Sequence, residues 1–236
     1  MLNYKFIILT LVCFFTYGVA DSVADDAPWV GQSLKGAPCR GNPTAYGPFD
    51  YLLRSQYKYE LHLVESTHFL PEIENLIKGH SGPLQQEFDY TIRAWPNHHR
   101  ALNSITRFKL LYPKKSRKLQ SPVECYFQRA INFSPKDATT RMLYGIYLHK
   151  IKHYKMANSQ YKDAVKLSPN NPIIRYNYGL LLINLKQYDL AQEQAIIAYN
   201  AGFPLNGLKN KLKRVNHWPP KVKPVAPTSN TVKELN

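Results

Sequence analysis

Apolar residues in the second half of the chain recur at helical spacing, and the spacing itself recurs. Ala101, Leu102, Ile105 and Phe108 fall on one side of a helix. Further on, Gly145, Ala157, Tyr161, Ala164 and Pro169 are matched 34 residues later by Gly179, Ala191, Ala195, Ala198 and Phe203. Run backwards, the same frame gives Val123, Phe127, Ala130 and Pro135. A small residue, an alanine twelve later, then a small or aromatic residue and another alanine are what two antiparallel helices need to lie close. A fixed period of this length predicts a stack of helix pairs, each burying its apolar face on the next. Gly145 and Gly179 are expected where the two helices of a pair approach.

The frame divides the second half into units. Pro96-Asn97 opens a first unit, residues 96–137, as Pro169-Asn170 opens the third. From Pro96 to Pro135 is 39 residues, a five-residue insertion that falls in the basic turn Pro113-Lys114-Lys115-Ser116-Arg117-Lys118. Residues 138–171 and 172–203 are the regular second and third units. Leu205 to Val215 reads as a short basic helix suited to cap the stack, since an end repeat needs a polar outer face. The remainder, residues 216–236, is rich in Pro and Lys and is expected to be disordered.

The first half is less regular. Residues 21–35 are polar and read as a mobile leader. Pro38 to Tyr51 is dense in turn formers and reads as ordered loop, its aromatics Tyr46, Phe49 and Tyr51 needing a surface to pack on. Alternation at Tyr59, Leu61 and Leu63 predicts a short strand, and Phe88 to Trp95 reads as extended. Between them, Pro71 to Lys78 reads as a brief helix with Ile73, Leu76 and Ile77 on one face, stopped by Gly79. The whole is expected to be mainly α: a short solenoid of about three helix pairs plus the cap, with a loop-rich acidic segment, residues 21–95, packed on it.

Ahead of these lies a different pattern. Lys5 precedes an apolar run, Phe6 to Phe15, and the chain then turns small and polar through Gly18-Val19-Ala20-Asp21. That order is a secretory signal peptide, residues 1–20, with cleavage after Ala20 or as late as Ala24. The alternative is an uncleaved anchor. Cys13 would leave with the signal, so Cys39 and Cys125 remain, and in an oxidising compartment they are expected to pair. Such a bridge would stabilise by about 2–4 kcal/mol. A buried Cys125 beside a free Cys39 thiol is the other reading.

Charge changes the picture of partners. The formal net charge is +15, but residues 21–96 carry −4 and residues 97–236 carry +18. This asymmetry points to an anionic partner or to the chain's own acidic segment. Export excludes nucleic acid as a target and leaves lipid headgroups, lipopolysaccharide or an acidic polymer, met through Lys209, Lys211, Lys213 and Arg214.

At Gly145, Ala157, Tyr161, Ala164 and their 34-residue partners the chain resembles the tetratricopeptide repeat (TPR) family, over residues Pro96 to Val215. The runs Cys-Arg-Gly-Asn-Pro, Tyr-Gly-Pro-Phe-Asp-Tyr and Trp-Pro-Asn-His-His look like exported Gram-negative bacterial TPR proteins, a group that brings no established activity with it. The family resemblance implies that the first helix of each pair lines a concave groove for peptides or partner helices. By frame, the second unit contributes Thr139, Met142, Ile146, His149 and Lys150. The third contributes Ile173, Tyr176, Asn177, Leu180, Ile183 and Asn184. His149, Lys150, Tyr176 and Asn184 are expected to be exposed. Met142 and Ile146 stand where some family members place polar residues that clamp a terminal carboxylate, so an apolar groove with polar anchors is expected.

The expected function is accordingly a periplasmic adaptor holding a peptide or helix of an envelope assembly. The alternative is a binder of an anionic envelope component through the basic end. A third reading is a metal-dependent enzyme built on Glu65, His68 and His98-His99. Adjacent histidines on a helix point about 100° apart, which disfavours one ion between them. The sequence has no phosphate-binding glycine loop and no nucleophile elbow, and it is read as a non-enzyme needing no cofactor or metal.

Overall fold

A computed structural model describes residues 27–219. Residues 1–26, which include the expected signal segment, and residues 220–236 lie outside the described residues. The described residues form ten α-helices in chain order: α1 Lys58–His68, α2 Pro71–Glu74, α3 Leu84–Ala94, α4 His99–Leu111, α5 Val123–Phe133, α6 Ala138–Lys150, α7 Tyr154–Leu167, α8 Pro172–Asn184, α9 Tyr188–Asn200 and α10 Gly207–Arg214. Among the described residues there is no strand beyond one isolated bridge between Gln32 and Pro38.

The repeat frame is set by local chemistry. Asp137 accepts from the Thr140 N–H at 3.0 Å and starts α6. Asn171 does the same for Ile173 and Ile174, with Pro172 at the first turn of α8. Each of these helices then ends on a left-handed lysine, Lys152 (φ 66°) and Lys186 (φ 60°), 34 residues apart. The reversal lets His153 N–H reach Leu148 C=O and Gln187 N–H reach Leu182 C=O, which satisfies orphan carbonyls and turns the chain into the second helix.

Packing follows the small residues. A Cβ on Gly145 would lie 3.1 Å from the Tyr161 ring of α7, so α6 and α7 touch there as the pattern predicts. Gly179 differs. Its added Cβ would meet Leu208 of α10 at 2.4 Å and the Ala191 carbonyl of α9 only at 3.4 Å. The tightest approach at Gly179 is thus made by the capping helix.

The first half is more helical than its pattern suggests. The alternating stretch from Tyr59 lies in α1, where Val64 is buried and Tyr59 is 67% exposed. With no partner strand to pair its backbone, a helix satisfies those groups internally. The stretch read as extended lies in α3. Phe88, Ile92 and Trp95 are spaced four and three apart, a helical stripe, and all three are fully buried. α3 packs between α1 and α4, so this segment adds a layer to the stack. The brief helix α2 ends at Glu74, and Leu76 turns left-handed (φ 63°). Ile73 and Leu76 are buried, while Ile77 is 70% exposed and so leaves the expected common face.

The described part of the expected mobile leader is instead a strap on α5. Ala27 C=O accepts from Arg129 at 2.7 Å, Trp29 meets Tyr126 edge-on at 5.1 Å, and Leu34 N–H donates to Glu124 at 3.0 Å. Cys39 and Cys125 are disulfide-bonded across 86 residues and fasten the strap. Residues 216–218 also pack: Trp218 lies edge-on to Tyr199 and His217 lies against Tyr188.

Candidate functional site

The first helices of successive pairs, α4, α6 and α8, lie side by side and form one continuous face. Its α4 end is closed by the chain's own segment. Glu74 pairs with Arg100, its backbone carbonyl accepts from Ser104 Oγ at 3.0 Å and Arg107 at 3.3 Å, and Arg100 stacks over Phe69. The open part therefore begins at α6.

On that part Ile173 is 48% exposed, Lys150 and Asn184 are exposed, and Thr139, Ile146, His149, Asn177, Leu180 and Ile183 are half-buried. Two expected groove residues are not open. Met142 is 7% exposed and Tyr176 is 8% exposed. Tyr176 packs its ring 4.2 Å from Phe203 and sets its hydroxyl over Gly207, because the chain folds back over this end to start the cap. It is a packing residue, not the exposed anchor its frame position suggests.

The polar anchors are mutually engaged. Asn184 Nδ2 donates to His149 Nε2 at 3.0 Å, which needs the neutral ring. Burial, with the charges of Lys150 and Lys211, pushes His149 below its ordinary value and favours that form. Asn177 donates to the Ile173 carbonyl of its own helix at 2.8 Å. On α10, Lys211, Lys213 and Arg214 are exposed, and Lys209 lies 5.7 Å from the Trp218 ring. The sequences of α6, α8 and α10 contain no Asp or Glu. The surface is apolar at its centre and basic at its cap end.

The histidines bind carboxylates pairwise. Glu65 meets His98 at 2.9 Å, His68 meets Glu87 at 2.7 Å, and His99 meets Asp137 at 2.7 Å. No group of three or more potential metal ligands occurs among the described residues. His98 is fully buried and its Nδ1 accepts from the Ala101 N–H, so Nε2 carries the proton given to Glu65. Burial lowers His98 against the pull of Glu65. Against the cost of burial, the His98 bond holds Glu65 low. The His68 bond and the Gly82, His80 and Ser81 N–H groups do the same for Glu87. Asn97 adds bonds to Asp50 and Asp137, so these pairs brace the acidic segment on the repeats.

A helical-repeat solenoid with one continuous first-helix face is a class of binding scaffold. Residues 160–193, from the middle of α7 through α8 into α9, match the tetratricopeptide repeat family. No curated protein matches the sequence. Among solved structures the chain is similar to YrrB, a TPR protein with an unusual peptide-binding site. That similarity runs at 19% identity over 69% of this chain and 87% of that one, with a TM-score of 0.43.

One feature escaped the sequence reading: a cavity of about 420 Å³ beside the insertion, lined by Leu34, Lys109, Arg117, Ser121, Glu124 and neighbouring residues. The length break at Pro113 to Lys118 was its only sequence signal.

Proposed function

We propose that the protein is an exported interaction module whose open α6–α8 face holds a peptide or helix of an envelope protein. Aliphatic side chains of that partner meet Ile173, Ile146 and Leu180, and its acidic side chains meet Lys150 and Lys211. The observation that carries this is Ile173. It lies 48% exposed in the first turn of α8, a helix whose Ile174, Tyr176 and Tyr178 are buried, on a face whose helices α6, α8 and α10 carry no carboxylate. Exposed apolar surface rimmed by polar groups marks association sites. The charged, apolar and small-residue order of the first twenty residues supports export. The Cys39–Cys125 bridge supports an oxidising compartment.

The test places a photocrosslinking residue at position 173 and, separately, at position 162, an exposed site on α7. Envelope fractions should give a specific adduct from position 173 alone. The crosslinked segment, made as a synthetic peptide, should bind the wild type and lose about tenfold or more in affinity to Ile173→Asp. Equal adducts from both positions, or unchanged peptide affinity in the variant, overturn the reading.

A further inference from the structure

The cavity beside the insertion is separate from the repeat face and has its own chemistry. The insertion builds one wall through a 3-10 turn at Lys115–Lys118, and the N-terminal strap builds the other. Leu34, Leu119, Val123 and Ile151 give it apolar sides. Lys35, Lys109 and Arg117 stand around it, and none of the three forms an ion pair among the described residues.

One further feature favours a hydrogen-bonding ligand. Ser121 is 1% exposed, lines the cavity, and its Oγ has no hydrogen-bond partner. A buried hydroxyl left unpaired is costly, so a ligand atom that pairs with it gains more than an ordinary surface contact. Next to it, α5 begins after Pro122 with no side-chain cap, and Glu124 stands in its first turn. Glu124 is the acid among the lining residues. Its oxygens already accept from Leu34 N–H at 3.0 Å and the Tyr147 hydroxyl at 3.2 Å, which fixes it as a brace between strap and repeat.

We propose that this cavity binds an amphiphilic organic acid. Its carboxylate sits at Ser121, with Lys35, Lys109 and Arg117 as counter-charges. Its aliphatic part lies along Leu119, Val123 and Ile151. The same chemistry is offered by a free aliphatic acid and by the C-terminus of a peptide ending in leucine. The inference does not depend on the role of the α6–α8 face.

The experiment is calorimetric titration of the disulfide-intact protein with five probes: octanoate, octanamide, N-acetyl-Ala-Leu, its C-terminal amide and inorganic phosphate. At least one of the two acids should bind, and its amide should not. Octanoate alone identifies a free acid as the source; the dipeptide alone identifies a chain terminus. Ser121→Ala and Arg117→Glu should each weaken that binding about tenfold. Lys162→Glu on α7 should leave it unchanged. Arg117 is exposed, so its variant keeps the test open should Ser121→Ala perturb folding. The proposal falls if neither acid binds at millimolar concentration. It also falls if the amides bind as well as the acids, if phosphate matches them, or if both cavity variants retain full affinity.

Discussion

Gly145 gives the sharpest test of the repeat packing, because two effects of opposite sign meet there. Replacing an interior helical glycine by alanine ordinarily stabilises by about 0.5–1 kcal/mol. Here the new methyl would lie 3.1, 3.1 and 3.2 Å from three carbons of the Tyr161 ring. Carbon atoms prefer about 3.5–4.0 Å, so the ring or the helix must give several tenths of an ångström. Tyr161 is fully buried and stacks on Tyr178 at 5.6 Å with 20° between the planes, so its retreat presses on α8. Overpacking of this kind costs about 1–3 kcal/mol. Gly145→Ala should therefore come out destabilised by about 1 kcal/mol after the helical gain, and Gly145→Leu by more. Urea unfolding of both variants, with Tyr161→Leu in a double-mutant cycle, separates the terms. In the Tyr161→Leu background the alanine should become neutral or stabilising. If Gly145→Ala alone is more stable than the wild type, and shows no coupling to position 161, the close contact of α6 on α7 is wrong.

Thiol titration of the denatured, unreduced protein should find neither Cys39 nor Cys125 free. Losing the bridge, which spans 86 residues, should cost up to about 4.6 kcal/mol on the chain-entropy model; an unchanged urea midpoint on reduction would contradict this. Stability should fall with acid in two stages. Burial lowers His98 and His149 below their ordinary 6.5, so the unfolded chain takes up those protons first and stability, full above about pH 6.5, declines below it. Glu65, Glu87 and Asp137, also held low, add a second loss below their ordinary 4.5, 4.5 and 3.8; urea midpoints that rise from pH 8 to pH 5 would refute the first stage. Lys186→Gly should stabilise by about 0.5–1 kcal/mol, since φ is 60° there and glycine removes the left-handed strain, and a lower melting temperature would show that the lysine side chain matters.

The repeats were legible because their signal is periodic: Ala157, Ala164, Ala191 and Ala198 are all fully buried, as a 34-residue frame requires. The capping helix was legible too, and Cys39 and Cys125 pair as expected with Cys13 set aside. The first half misled because residue type competed with spacing. Phe88, Ile92 and Trp95 carry strand-forming side chains at helical intervals, and the interval decided the fold. Tyr59 and Leu63 suggested alternation, yet they face solvent and only Val64 of that helix is fully enclosed. At the candidate face, frame position identified which helices present side chains. It could not show that residues 203–207 fold over Tyr176, or that Glu74 covers α4, because both depend on contacts across the chain rather than along it.

The two ends of the stack are held by unequal means. At the α4 end, histidine–carboxylate pairs, a buried Arg129 and a covalent bridge join segments far apart in sequence. At the other end an eight-residue helix rests on Leu208 and Leu212, with only His217 and Trp218 packed beyond it on α9. In a solenoid each unit is steadied only by its neighbours, so opening is free to start wherever the last interface is weakest. Amide exchange should then run as a front that enters at α10, moves through α9 and α8, and slows on reaching α5. The proposed binding face would soften from its basic end while its anchored end keeps its form. A partner that bridges α6 and α10 would act as a second cap, and its arrival would be read as slowed exchange in helices it never touches.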